Sequence, residues 1–192
     1  MNWLLFAPLA ILLVVLDASF MPVFRIGDVW PQWTPALVVF VAMWAPRPTV
    51  LWAAFLAGLL RDLSRPEVAA NLDAIRVIGP DALGWFFGAT FVLAVRRSLL
   101  RRHPAAVGAA TFAFLVLASL AWGAIWAIRG VLPGSLEPWP PGGAMSAVGE
   151  RIVADAYSGV AAIPLAWMLA RLRPWWGFPG AAWAVPAGSR RF

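Results

Sequence analysis

The sequence predicts an all-α membrane protein, a six-helix transmembrane bundle whose second and third helices are short. Three observations lead there. Hydrophobic residues make up 62% of the 192 residues and charged residues only 12%, about half the charged share of a soluble domain. Mean hydropathy is +0.78. The apolar residues fall into six runs, and the basic residues are spread unequally over the connections between them.

The first run, about 3–24, starts without a basic region and is long enough to span. It reads as a retained helix rather than a cleaved signal. The second, about 30–45, contains VWPQWTPALVVFVAMWA, and the third covers about 49–63. At 1.5 Å per residue they reach only about 22–24 Å, short for a bilayer. Interfacial Trp30, Trp33 and Trp52, local thinning or a non-crossing hairpin would accommodate them. Pro46-Arg47-Pro48 marks a turn between the two. The fourth run, about 80–95, opens on Gly-Pro, the fifth covers about 105–128 and the sixth about 147–170. These make one domain over 1–172. The remaining 173–192 form a tryptophan-rich tail, too broken by Pro and Gly to span, at the interface or in the cytoplasm. No clear internal repeat stands out.

All fifteen basic residues are arginine, and the formal charge is +6. Nine arginines and no acid lie on the side of loop 46–48, loop 96–103 and the tail, against six arginines on the other side. The positive-inside rule places both termini and loop 96–103 in the cytoplasm. Basic charge on so apolar a chain reports orientation in an anionic membrane rather than nucleic-acid binding. Arg96, Arg97, Arg101 and Arg102 read as contacts to anionic lipid or to a cytoplasmic protein.

Charges inside the spans cost several kcal/mol unless partnered or wet. Asp17, Arg61, Asp62, Glu150, Arg151 and Asp155 all fall in the outer half. They form either a polar site between helices or separate local pairs, such as Arg151 with Asp155 at i, i+4. Arg61 and Asp62 end a short helix where water can reach them. Asp17 has no charged neighbour at helical spacing and needs one from another helix, water or a proton. Catalysis is disfavoured. His103 is the only histidine and sits in the basic loop, there is no cysteine, and no metal-ligand cluster or nucleotide loop is present. No cofactor is expected. Small-residue stripes at Ala53-Ala57-Gly58, Gly84–Gly88 and Ala154-Ser158-Ala162 suit close helix packing, within the chain or against a partner's helix.

The order of these features resembles the rod shape-determining protein MreD family of bacterial inner-membrane proteins. The resemblance covers about 1–172 and rests on WPQWTPALVVFVAMWA, the PRP turn, AGLLRDL and GPDALGWFFGATFVLAVRR. It is most specific at Pro35, Gly58, Leu59, Asp62 and Gly84. The stretch near 67–78, the loop 130–146 and the tail depart from the family pattern. The resemblance implies six helices arranged as in the substrate-binding subunits of vitamin transporters. It implies a non-enzymatic scaffold for cell-wall elongation that maintains rod shape. The implied partners are an MreC-like single-span protein and, in a larger complex, a RodA-like glycosyltransferase and a class B penicillin-binding protein. Pro35, Gly58, Asp62 and Gly84, together with Arg61 at the charged helix end and Gly88 of the small-residue stripe, are the expected partner or structural site. The residues alone leave two other readings open: a small-molecule transport subunit with a pocket open to the outside, and a membrane enzyme acting on lipid or wall precursors through Asp17, Asp62 or Asp155.

Overall fold

The computed structural model describes residues 1–64, 67–68, 74–75, 78–98, 103–131 and 143–178. Among them are six helices, α1 (Trp3–Ser19), α2 (Thr34–Trp44), α3 (Arg47–Ser64), α4 (Pro80–Val95), α5 (Pro104–Gly130) and α6 (Gly143–Arg171). A two-residue antiparallel ribbon, β1 (Glu67–Val68) with β2 (Ala74–Ile75), pairs Glu67 with Ile75. Two helices, α5 and α6, are long and apolar enough to cross a membrane.

α1 begins at Asn2, whose side chain accepts from the Leu4 N–H at 3.1 Å. It buries one stripe, Phe6, Ala10, Leu13 and Asp17, and leaves Leu4, Ile11, Leu12 and Val15 exposed. The run expected to reach residue 24 ends as helix at Ser19, and Met21–Phe24 tighten into a 3₁₀ turn with Pro22 in its first turn.

α2 starts four residues later than the apolar run. Pro35 stands in its first turn, where its missing N–H costs nothing. Every residue from Thr34 to Met43 is buried. An element apolar all round belongs inside, and α2 runs through the middle with α1, α3, α4, α5 and α6 around it. Its shortness therefore follows from burial among helices. Arg96 donates from Nη1 to the carbonyls of Ala42 (3.1 Å) and Ala45 (2.7 Å) at its C-terminus.

α3 corrects the expected short third helix. It has 18 residues, about 27 Å, because Arg47 and Pro48 form its first turn instead of a linker. Pro46 supplies the carbonyl that accepts from the Val50 N–H at 3.1 Å, so the break is confined to residues 45–46. α4 has the expected bounds. Gly79, at φ +127°, makes a turn that a side chain would strain, and Pro80 starts the helix. α5 and α6 exceed the expected runs by a few residues at their ends. His103 caps α5, its Nδ1 accepting from the Ala105 N–H at 3.3 Å. α3 packs on α4, α4 on α5 and α5 on α6.

The tail begins inside the packed unit rather than beyond it. Trp176 is fully buried, stacks on Phe178 with centroids 5.7 Å apart and lies against Phe40 of α2. Its carbonyl accepts from the Asn2 N–H at 2.8 Å, tying the two ends of the described chain together. Arg173 lies over the Trp44 ring at 3.7 Å. Residues 179–192 lie outside the described residues, as do most of the 67–78 stretch, Arg101, Arg102 and residues 132–142 of the long loop.

Candidate functional site: a buried polar network at one end of the helices

The outer-half charges singled out by sequence converge, with the exception of Glu150, which stays exposed. They meet where α1 and α3 end and α2 and α4 begin, joined by Ser119 of α5 and by Arg151, Asp155 and Ser158 of α6.

Two carboxylates cap helices to which they do not belong. Asp17 of α1 accepts from the backbone N–H of Trp33 (2.7 Å) and Thr34 (2.9 Å), and from the Thr34 hydroxyl (2.6 Å). Asp62 of α3 accepts from the N–H of Gly79 (2.8 Å), Asp81 (3.1 Å) and Ala82 (3.2 Å). Each thus meets the orphan donors and the positive dipole end of the next helix. In both cases the carboxylate stands 17 residues before a capped N–H. The chain does repeat a device: a helix ends on Asp, a connection follows, and a helix begins with Pro in its first turn.

Asp62 is 6% exposed, so the expectation of a wet helix end is corrected. Its neighbour Arg61 turns to Gln32, whose side-chain oxygen it contacts, and to Asp81, with Nε 2.9 Å from Oδ2. Asp81, at the start of the fourth expected run, is not among the expected site residues. Its other oxygen takes Nη2 of Arg151 at 2.8 Å. A single carboxylate with an 8% exposed side chain thereby bridges α3 and α6. The expected local pairing of Arg151 widens into an interhelical one, and Asp155 accepts from the Ser119 hydroxyl of α5 at 2.7 Å.

Aromatic faces complete the surroundings. The Arg151 guanidinium lies 4.1 Å from the Trp122 ring centroid and that of Arg61 5.6 Å from Trp85. Gln32 is tied in by its backbone N–H, which donates to the Ser158 hydroxyl at 3.0 Å. Four carboxylates face two guanidiniums, and the helix N-termini supply partial positive charge for Asp17 and Asp62.

Glycines let the helices come close enough for this. A Cβ on Gly58 would lie 2.7 Å from Ala82 Cα and 2.8 Å from the Asp81 carbonyl. One on Gly84 would meet the Ala118 carbonyl at 2.7 Å, and one on Gly88 the Phe114 carbonyl at 2.7 Å. All three glycines face neighbouring helices of the same chain. The α5–α6 crossing uses Gly108 against Gly159 in the same way. Of the basic loop, Arg96 is engaged with α2 carbonyls, Arg97 is exposed, and both lie at the opposite end.

Among the described residues, the space in the network is small. A cavity of about 10 Å³ lies among Asp17, Gln32, Thr34, Arg61 and Trp85, room for about one water molecule. Among the described residues no group of three or more His, Cys, Asp or Glu is placed to hold a metal ion. His103 caps α5 at the other end, away from these carboxylates.

The signal that would have found Asp81 is its position two residues after Gly79, in the first turn of a helix facing the Arg61 end of the preceding one. No family model matches this chain, and no curated protein or solved structure matches it.

Proposed function

We propose that this chain is a six-span integral membrane protein of the bacterial inner membrane, a non-enzymatic scaffold of the MreD kind. It holds an MreC-like single-span protein and, through it, a RodA-like glycosyltransferase and a class B penicillin-binding protein. Both termini and loop 96–103 face the cytoplasm, because nine of the fifteen arginines fall in the connections and tail assigned to that side. The polar network then lies towards the outside.

One observation carries the scaffold reading over transport or catalysis. Among the described residues, the charged groups of the outer half, Glu150 aside, are engaged with helix N-termini and with one another, around a cavity of about 10 Å³. A transported solute needs a pocket of several hundred Å³, and catalysis needs a reactive group within reach of substrate. A network of this kind fixes the angles of six helices and so the shape of the surface they offer.

Purification of the tagged chain in mild detergent tests this. The MreC-like protein should co-elute with the wild type, and less of it with Gly58→Leu or Asp62→Leu, whose cells should round up. Full co-elution and normal rods in both variants, with the network demonstrably disrupted, would sink the reading.

A further inference from the structure

At the arginine-rich end, a cavity of about 360 Å³ is bordered by Arg47, Thr90, Arg96 and Arg97. Alongside it, a groove of about 380 Å³ is bordered by Leu51, Trp52, Phe55 and Phe86. The two lie on the same helix faces. Arg47, Leu51 and Phe55 follow i, i+4, i+8 along α3 and Phe86 and Thr90 are i, i+4 on α4, while Arg97 stands in the turn just past the end of α4. α3 packs on α4, and one helical turn separates the cationic lining from the apolar one on each helix, Arg47 from Leu51 and Thr90 from Phe86. No acidic residue borders either part.

We infer that cavity and groove together form one α3–α4 cleft that binds one anionic phospholipid, with its phosphate among Arg47, Arg96 and Arg97 and an acyl chain along Leu51, Trp52, Phe55 and Phe86. The inference rests on the membrane placement proposed above and adds to it a defined lipid site. Arg96 is held by the Ala42 and Ala45 carbonyls, so its charge is a fixed wall of the cavity. Arg47 and Arg97 are exposed and can close on a phosphate with charge-assisted hydrogen bonds. Trp52, 61% exposed, offers a flat apolar face at the depth where a chain leaves its headgroup. Charge complementarity selects an anionic amphiphile over a neutral one.

The full chain, purified in mild detergent, is titrated with phosphatidylglycerol and with phosphatidylcholine of the same acyl chains, and native mass spectrometry counts bound lipid. One phosphatidylglycerol per chain is expected, with phosphatidylcholine about tenfold weaker. Arg47→Gln combined with Arg97→Gln should weaken phosphatidylglycerol about tenfold and leave phosphatidylcholine unchanged. Leu51→Trp, which fills the groove without altering charge, should weaken both lipids. Thermal unfolding identifies folded variants, and a misfolded one is replaced by Arg47→Gln alone or Phe55→Trp. Wild-type binding in folded head and groove variants would overturn the site. So would glycerol 3-phosphate competing as well as the lipid, which would indicate a free-phosphate site. A Trp52→Cys cross-link to another protein, with lipid binding indifferent to every variant, would assign the cleft to a partner helix instead. Loss of lipid selectivity in a chain that still fractionates with membranes overturns this inference alone; a chain absent from membranes overturns the proposed function as well.

Discussion

Arg151 Nη2 lies 2.8 Å from Asp81 Oδ1, joining α6 to α4 across 70 residues of sequence. Arg61 holds the other oxygen of the same carboxylate, so three helices share one charge. Removing Asp81 takes from both guanidiniums the carboxylate they share, in a place where their side chains are only 13% and 22% exposed.

Asp81→Asn should therefore destabilise the protein by roughly 2–4 kcal/mol. That is somewhat under the range for fully buried pairs, because the Arg151 side chain keeps 22% exposure. A double-mutant cycle with Arg151→Met should give a coupling of about 0.5–3 kcal/mol. Thermal or denaturant unfolding in detergent measures both. Additive effects would mean that the contact carries no energy.

The two transferred caps should behave alike. Asp17→Ala and Asp62→Ala should each cost about 1–3 kcal/mol, since buried N–H groups lose their acceptor. The Asn variants should cost less. Hydrogen exchange gives the local readout: the Gly79, Asp81 and Ala82 amides should speed up in Asp62→Ala, and the Trp33 and Thr34 amides in Asp17→Ala. Unchanged exchange at these amides would refute the capping role.

Glycine substitutions should separate by contact. Gly58→Ala puts a Cβ against Ala82 and Asp81 backbone and Gly84→Ala against the Ala118 carbonyl, so both should destabilise by about 1–3 kcal/mol, as overpacking does. Gly149 lies in α6, and a methyl group there would meet nothing within 4 Å. Gly149→Ala should stabilise by roughly 0.5–1 kcal/mol. A stability order that ignores these contacts would contradict the close helix approach.

Orientation can be read directly, because the chain has no cysteine. Val23→Cys, near the polar network, should react with an impermeant maleimide in intact spheroplasts. Ser98→Cys, in the arginine-rich loop, should react only after lysis. The opposite pattern would invert the proposed topology.

The sequence located the helices well where their ends are marked locally. α4 was legible to the residue because Gly79 and Pro80 mark its start and Arg96 follows its end. α2 was misplaced because Trp30 and Pro31 continue the apolar run, while the carboxylate that sets its start is Asp17, on another helix. α3 was cut short because Pro48 reads as a breaker, yet Pro in a first turn loses no hydrogen bond. Asp81 was missed because a helix-start aspartate looks solvated in a linear sequence. Its two arginines are 20 and 70 residues away, distances that no helical period links.

Composition and the apolar runs by themselves determined a predominantly helical chain, the places where helices form and the unequal distribution of arginine between the connections. Burial preference and local turn chemistry are properties of short segments, so they can be read in order along the chain. Only the tertiary structure decided that α2 is enclosed, that Asp17 and Asp62 cap the following helices, and that Asp81 joins Arg61 to Arg151. Each of those depends on which backbone donor or charge a neighbouring helix brings within about 3 Å, and glycine contacts such as Gly58 on Ala82 set that approach.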